Sequence, residues 1–287
     1  MKRRGVYLLL GALMFSLLLV GCGSEQSNTV KKQIIGIDPG AGLMKATGKA
    51  ITEYQLKDWE LVEGSGAAMT AALTKAYENK EPIIITGWTP HWKFSKYDLK
   101  YLEDPKKVFG EAEDINTIVR TDLKKDHPVA YALLDSFHWE PADMESVMVA
   151  IQEGKDPKVA AQEWVKNNED KVDKWLTDLQ PVSGEKITLA YVAWDSEIAS
   201  TNVVAVALEK LGYQVELSQV EAGPMWAGIA SGDADAMVAG WLPTTHADYY
   251  QEFQGKFEDL GANLEGTKIG LVVPSYMEIS SIEDLNK

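Results

Sequence analysis

Two stretches of this chain repeat one pattern. The apolar run Ile83-Ile84-Ile85-Thr86 stops at Gly87-Trp88, one residue follows, and then Pro90. Far along the chain, Ala236-Met237-Val238-Ala239 stops at Gly240-Trp241, one residue follows, and then Pro243. A buried strand that ends in a turn reads this way. Each Trp then sits at the carboxyl end of its strand, where open α/β sheets place their ligands. A chain that does this twice is confined to two similar halves, each with an indole at its rim; the alternative is two core tryptophans.

The flanking sequence supports the two halves. In the first, Ile34–Ile37 reads as a strand, Asp38-Pro39-Gly40-Ala41-Gly42 as a turn and Leu43–Tyr54 as a helix. A strand at Trp59–Val62, a helix at Gly64–Glu78 and the first Gly-Trp strand follow. In the second, strands at Lys186–Val192 and Gln214–Gln219, helices at Thr201–Leu211 and Met225–Ala230, and the second Gly-Trp strand come in the same order. Alternating strands and helices imply a mainly parallel sheet in each lobe. Between the halves lie a loop region from Trp92 to Tyr101, a strand at Ile115–Arg120 and a helical stretch from His127 to Leu176. Trp139, Trp164 and Trp175 in that stretch read as packing residues. Helix at Asp248–Phe257, strand at Ile269–Val273 and a helix start capped by Ser281 close the chain. Two α/β lobes facing a central ligand cleft is the class II architecture of periplasmic-binding-protein-like solute receptors.

Charge and length narrow the function. The 287 residues suffice for two domains. A net charge of −15 argues against nucleic acid, whose phosphates need basic patches. Lys2, Arg3 and Arg4 followed by an apolar run from Val6 to Val20 read as a secretory signal, too short to span a bilayer. Leu19-Val20-Gly21-Cys22 resembles a bacterial lipobox, which implies cleavage before Cys22 and lipid attachment to its sulfur. Removing residues 1–21 takes three positive charges, so the mature chain is near −15 − 3 = −18. Residues 22–33 are then a lipidated tether, and a single Cys permits no internal disulfide.

The site follows from the residue types. Trp88, Trp194 and Trp241 fall at expected strand ends. If they converge, three indole faces make a box with no hydrogen-bond donor pointing inward. Such a box suits a cation that has no N–H to donate, a quaternary ammonium; a Lys or Arg ligand would call for carboxylates. The glycine turn before Leu43 offers unpaired N–H groups at a helix start, suited to an anion. Two nucleotide motifs miss here. Gly42 and Gly48-Lys49 enclose five residues where a P-loop has four, and Lys45 stands where the dinucleotide fingerprint needs a small residue. A cage plus an anion hole describes a small zwitterion. Three cation–π contacts at roughly 2 kcal/mol and two charged hydrogen bonds at about 1.5–3 kcal/mol each exceed an association cost of at least about 4 kcal/mol. The balance accommodates micromolar binding, about −8 kcal/mol.

Several long stretches together resemble the glycine betaine-binding lipoproteins of osmoprotectant ABC importers. They are Gly36–Gly42, Ile83–Trp92, Ala190–Ser196, Glu221–Trp226 and Leu271–Pro274. The similarity covers essentially the whole mature chain and is greatest to the glycine betaine/proline betaine receptors of Bacillus-type bacteria. The resemblance implies a cation cage of Trp88, Trp194 and Trp241 and a carboxylate held by the backbone N–H groups of Gly42 and Leu43. A member of that family carries Ile where this chain has Leu43; a main-chain contact tolerates that change. His246 matches a position that contacts some ligands, and a solvated loop histidine is the other reading. In most relatives the Lys186–Leu285 part precedes the Ile34 part. The swapped order resembles a circular permutation, with one lobe of residues 34–114 plus 277–287 and the other of 115–276.

The resemblance therefore implies a monomeric, lipid-anchored receptor on the outer face of the cell membrane that delivers glycine betaine, and proline betaine, to a permease with its ATPase. It implies no cofactor, no metal and no catalytic residue. Rival readings are a choline or carnitine receptor, an enzyme acting on methylated amines and a surface adhesion lipoprotein. The enzyme lacks a metal-spaced His cluster and a Gly-x-Ser-x-Gly motif. The adhesin would leave the paired Gly-Trp motifs without a purpose.

Overall fold

The structure, a computed structural model, describes residues 32–287. The expected signal segment, the lipobox with Cys22 and nearly all of the tether lie outside the described residues.

In the first half, β1 (Gln33–Ile35) is followed by α1 (Gly42–Glu53), β2 (Glu60–Val62), α2 (Gly66–Glu78) and β3 (Ile84–Thr89). β1 lies between β2 and β3, parallel to both. Helix α1 buries Leu43, Met44, Thr47 and Ala50, the one-sided spacing that seats a helix on a sheet. Helix α2 is started by Ser65, whose hydroxyl accepts the Ala68 N–H at 3.2 Å.

The stretch read as a loop after Trp92 holds a short helix, α3 (Lys93–Lys96), and a strand, β4 (Leu99–Tyr101). Its aromatic residues order it. Phe94 stacks on Tyr101 at 5.2 Å, and the Tyr101 and Thr89 hydroxyls share a hydrogen bond of 2.6 Å. Next come β5 (Glu113–Arg120) and the helices α4 (Leu123–Asp126), α5 (Pro128–Ser136), α6 (Pro141–Gln152), α7 (Pro157–Asn167) and α8 (Glu169–Leu176). Three of these helices begin on a proline, whose fixed φ and missing N–H suit a first helical position. Trp139 precedes α6 rather than lying within a helix, and it joins Trp164, Trp175 and Phe137 in one aromatic cluster.

The second half repeats the first. β6 (Lys186–Tyr191), α9 (Asp195–Lys210), β7 (Gln214–Gln219), α10 (Ala222–Ser231) and β8 (Ala236–Leu242) place β6 between β7 and β8, parallel to both. A short helix α11 (Ala247–Glu252) and β9 (Phe257–Pro274) follow, and a 3-10 turn at Ile282–Asn286 is capped by Ser281.

The two parallel triplets are not separate sheets. The strand order is β2-β1-β3-β9-β5-β8-β6-β7, with β4 also on β9. β9 is far longer than the strand expected at Ile269–Val273. It runs antiparallel to β5 at its start and to β3 and β4 at its end. Gly261 and Gly266 hold positive φ along it, at 90° and 76°, so the strand turns without leaving the sheet.

Candidate functional site

Both Gly-Trp turns are made alike. Trp88 and Trp241 lie near the carboxyl ends of β3 and β8, each is buried, and each is followed by a residue joined to proline through a cis peptide bond. A buried histidine completes each turn by accepting a backbone N–H on Nδ1, from Lys93 at His91 and from Trp241 at His246, both at 3.1 Å. Acceptance at Nδ1 places the proton of the neutral ring on Nε2. Burial pushes both imidazoles down to about 3, aided at His91 by the Lys93 charge and opposed by Asp195.

Trp194 lies between β6 and α9 and acts as the N-cap position of that helix. It faces one apolar cavity with Trp88 and Trp241; Ile37, Ala41, Leu43, Thr245 and Ile269 complete the lining. The cavity holds about 280 Å³ of space between atoms, its mouth included. The three indoles present no N–H to it, because each N–H is taken by the protein. Trp88 Nε1 donates to Ser196 Oγ at 3.1 Å, Trp194 Nε1 to Asp38 Oδ2 at 2.9 Å, and Trp241 Nε1 to Glu197 Oε1 at 2.6 Å. Trp92 adds a fourth such bond, to Asp195 Oδ1 at 3.0 Å. Three consecutive side chains in the first turn of α9 therefore hold three tryptophans.

Nothing in the sequence alone assigns Asp38, Ser196 or Glu197 to the site. The one available signal is the run Trp194-Asp195-Ser196-Glu197, three polar side chains directly behind a cage tryptophan at a helix start. Burial raises the Glu197 carboxyl to about 7, against the bonds from Ser196 and Trp241 that favour its charge. Lys93 is also fully buried, with Nζ 4.2 Å from the centre of the Trp88 ring; burial drives its ammonium well below the usual range, and Asp195 opposes this.

The anion end is set by the start of α1. The N–H groups of Met44 and Lys45 both reach Ala41 O, which leaves those of Gly42 and Leu43 without a protein acceptor among the described residues. Leu43 lines the cavity. Gly42 lies so close to the loop after the second Gly-Trp that a Cβ there would stand 1.7 Å from the Thr245 carbonyl oxygen. That loop is itself fixed: Glu113 accepts the Thr244 and Thr245 N–H groups at 3.2 and 2.9 Å and the Thr245 hydroxyl as well. Tyr249 donates to Gly40 O at 2.9 Å, so the two halves meet beside the cavity mouth. His246 is not among the lining residues; its ring is stacked 6.1 Å from Trp194, and its buried Nε2 makes no well-aligned hydrogen bond within the protein.

A cavity walled by side chains from both halves of a doubled α/β sheet is the arrangement found in solute-binding proteins. Known proteins of similar sequence are of this class. Residues 23–167 and 185–287 match OpuAC, the substrate binding domain of ABC-type glycine betaine transport systems. The glycine betaine/carnitine transport binding protein GbuC of Listeria monocytogenes is 52% identical over 288 residues, 96% of this chain and 95% of that one. Among solved structures, lactococcal OpuAC, closed on glycine betaine, is 53% identical over 53% of this chain and 60% of its own, with a TM-score of 0.50. The Borrelia burgdorferi glycine betaine/L-proline-binding protein ProX is 35% identical over 52% of this chain and 57% of its own, also at 0.50. This chain thus spans somewhat under two thirds of those two structures. The chain belongs to the OpuAC family of substrate-binding proteins, components of ABC importers that work outside the cytoplasm and are not enzymes. No helix among the described residues is long and apolar enough to cross a membrane.

Proposed function

We propose that this cavity captures glycine betaine, with the trimethylammonium group between Trp88, Trp194 and Trp241 and the carboxylate on the N–H groups of Gly42 and Leu43. The observation that carries the reading is the shared cavity of three indoles whose N–H groups are all turned into the protein. A cage with no donor inside favours a cation that has lost every N–H. His246 becomes a further donor when the ligand carboxylate reaches its ring: its buried Nε2 makes no well-aligned hydrogen bond within the protein. Carnitine, which the name of the listerial relative includes, keeps both charged ends with a longer spacer and is the second reading; proline betaine fits the same scheme. Tryptophan fluorescence and calorimetry with glycine betaine, proline betaine, carnitine, choline and glycine test the assignment. Glycine betaine binds and glycine does not; comparable affinity for the two overturns the cage.

Two lobes, residues 34–114 with 277–287 and residues 115–276, close over the ligand and present the closed form to the permease. The pairing of residues 268–274 with β3 and β4 supports moving that end of β9 into the first lobe. The C-terminal turn belongs there too: the Trp59 indole donates to Leu285 O at 3.0 Å, and Asn286 donates to Tyr54 O at 2.8 Å. Lys32 O, at the start of the described chain, accepts from Glu60 at 2.9 Å, so both ends of that chain lie beside β2. Adjacent ends suit a circular permutation. High identity to the lactococcal protein over only half the length is what swapped halves produce. The receptor acts as a monomer, held to the outer face of the membrane by lipid on Cys22. The Cys22→Ala variant is expected in the soluble fraction with its affinity intact; continued partition into detergent as a lipoprotein overturns the anchor.

A further inference from the structure

One carboxyl group stands behind two walls of the cavity. Glu197 is buried at 1% exposure in the first turn of α9. Its Oε1 accepts the Trp241 indole N–H at 2.6 Å, and its Oε2 accepts the Ser196 hydroxyl at 2.6 Å. Ser196 Oγ accepts the Trp88 indole N–H at 3.1 Å. Two walls, from opposite halves of the chain, are therefore wired to a single acid. We propose that Glu197 is a specificity-determining positioning residue: when ionised, it projects negative charge through these hydrogen bonds onto Trp88 and Trp241 and so favours a cationic head group over a neutral one of the same shape.

The surroundings of Glu197 support this. A buried carboxylate is ordinarily neutralised by a protein cation. Among the described residues Glu197 forms no ion pair with Lys, Arg or His. On its own helix Asp195 opposes its ionisation. From the side of β3 and α3, His91 and Lys93 act on Asp195. From β8 it receives only the Trp241 N–H, and His246, which follows that strand, is held neutral by burial. Asp38, at the turn before α1, is taken by the Trp194 indole. The missing counter-charge is the one a quaternary ammonium brings, which rests on the cage reading above. Burial holds the Glu197 carboxyl near neutrality, at about 7. A cation in the cavity favours the ionised form, so binding near that pH expels a proton to solvent, and affinity rises as pH increases through it.

Calorimetry with two ligands tests the idea: glycine betaine and tert-butylacetate, in which carbon replaces the quaternary nitrogen and the head group is neutral. In the unmodified protein, glycine betaine affinity rises roughly tenfold from about pH 6 to pH 8, while tert-butylacetate changes less than about twofold. Glu197→Gln keeps an oxygen for Trp241 and removes the charge. It weakens glycine betaine roughly tenfold at about pH 8, flattens the profile and leaves tert-butylacetate within about twofold. Equal loss of both ligands reduces Glu197 to a structural prop and overturns the proposal, as does unchanged glycine betaine affinity. A flat glycine betaine profile in the unmodified protein overturns it without any variant. Trp241→Ala is run beside these. Retained binding there overturns the cage itself, whereas lost binding with an unaffected Glu197→Gln overturns only the role of Glu197.

Discussion

The turn at Trp88 and the turn at Trp241 share a strand, a glycine, an indole, a cis proline and a buried neutral histidine, but they differ in what the second ring nitrogen of that histidine meets. His91 Nε2 lies 3.3 Å from the Asp195 carboxylate, whereas His246 has no carboxylate beside it and only the Ala239 backbone opposes the lowering of its pKa. Neither Nε2 makes a well-aligned hydrogen bond within the protein. The supports of the two indoles differ as well. Trp88 covers a buried lysine and reaches Glu197 through Ser196, whereas Trp241 bonds Glu197 directly. One pattern used twice thus yields one histidine beside a protein carboxylate and one without. The copy without a carboxylate is the one proposed above to meet that of the ligand.

The largest effect expected is on the walls. Trp88→Ala and Trp241→Ala each weaken glycine betaine roughly thirtyfold, the equivalent of one desolvated cation–π contact of about 2 kcal/mol. Trp241→Ala also leaves the buried Glu197 short of a donor and so costs more in thermal midpoint than Trp88→Ala. Trp164→Ala, in the aromatic cluster away from the cavity, lowers the midpoint and leaves affinity within about twofold. Calorimetry and thermal unfolding of the three variants decide; lost binding in a folded Trp164→Ala protein with intact binding in the other two means the wrong tryptophans were assigned.

The histidine contrast is next in size. His246→Ala weakens carboxylate-bearing ligands roughly tenfold, as loss of one hydrogen bond to a charged group does. His91→Ala leaves affinity nearly unchanged and lowers the thermal midpoint. Equal effects on affinity would show that the two turns are functionally alike.

A separate effect, not on affinity, is expected on stability against pH in the ligand-free protein. Unfolded histidine takes a proton near 6.5, and folded His91 and His246 only near 3. Their contribution is complete above pH 6.5 and is lost as the pH falls toward 3. Glu197 works the other way: raised from 4.5 to about 7, it stabilises the fold at low pH and loses that contribution as pH rises through this range. Between about pH 4.5 and 6.5 the two histidines and the one glutamate leave a net loss of roughly 1.4 kcal/mol per pH unit on acidification. Urea denaturation across this window measures it. His91→Gln removes one histidine and brings the slope from these groups near zero; an unchanged slope shows that His91 is protonated in the fold.

The parts of the site legible in the sequence were those with local cause. Trp88 and Trp241 end repeated apolar runs, and the turn before Leu43 announces itself by its glycines. The acceptors were not legible, because they depend on pairings across the cleft: Ser196 meets Trp88 and Asp38 meets Trp194 only once the chain has folded. Lys93 was hidden for the opposite reason, since a lysine among aromatics reads as surface until packing encloses it. The full length of β9 escaped because Gly261 and Gly266 interrupt the apolar pattern at the points where the strand turns.

β9 has a mechanical consequence. It leaves β5 and joins β3 and β4 without a break in its own run, so the two halves share a beam rather than a loose tether. A beam does not swivel; it twists. Relative rotation of the halves has to be taken up along the β5–β9 ladder, where the register already slips between Glu113 and Ile118. The width to which the mouth can gape is then governed by the torsional compliance of a few residue pairs rather than by the length of a connecting loop.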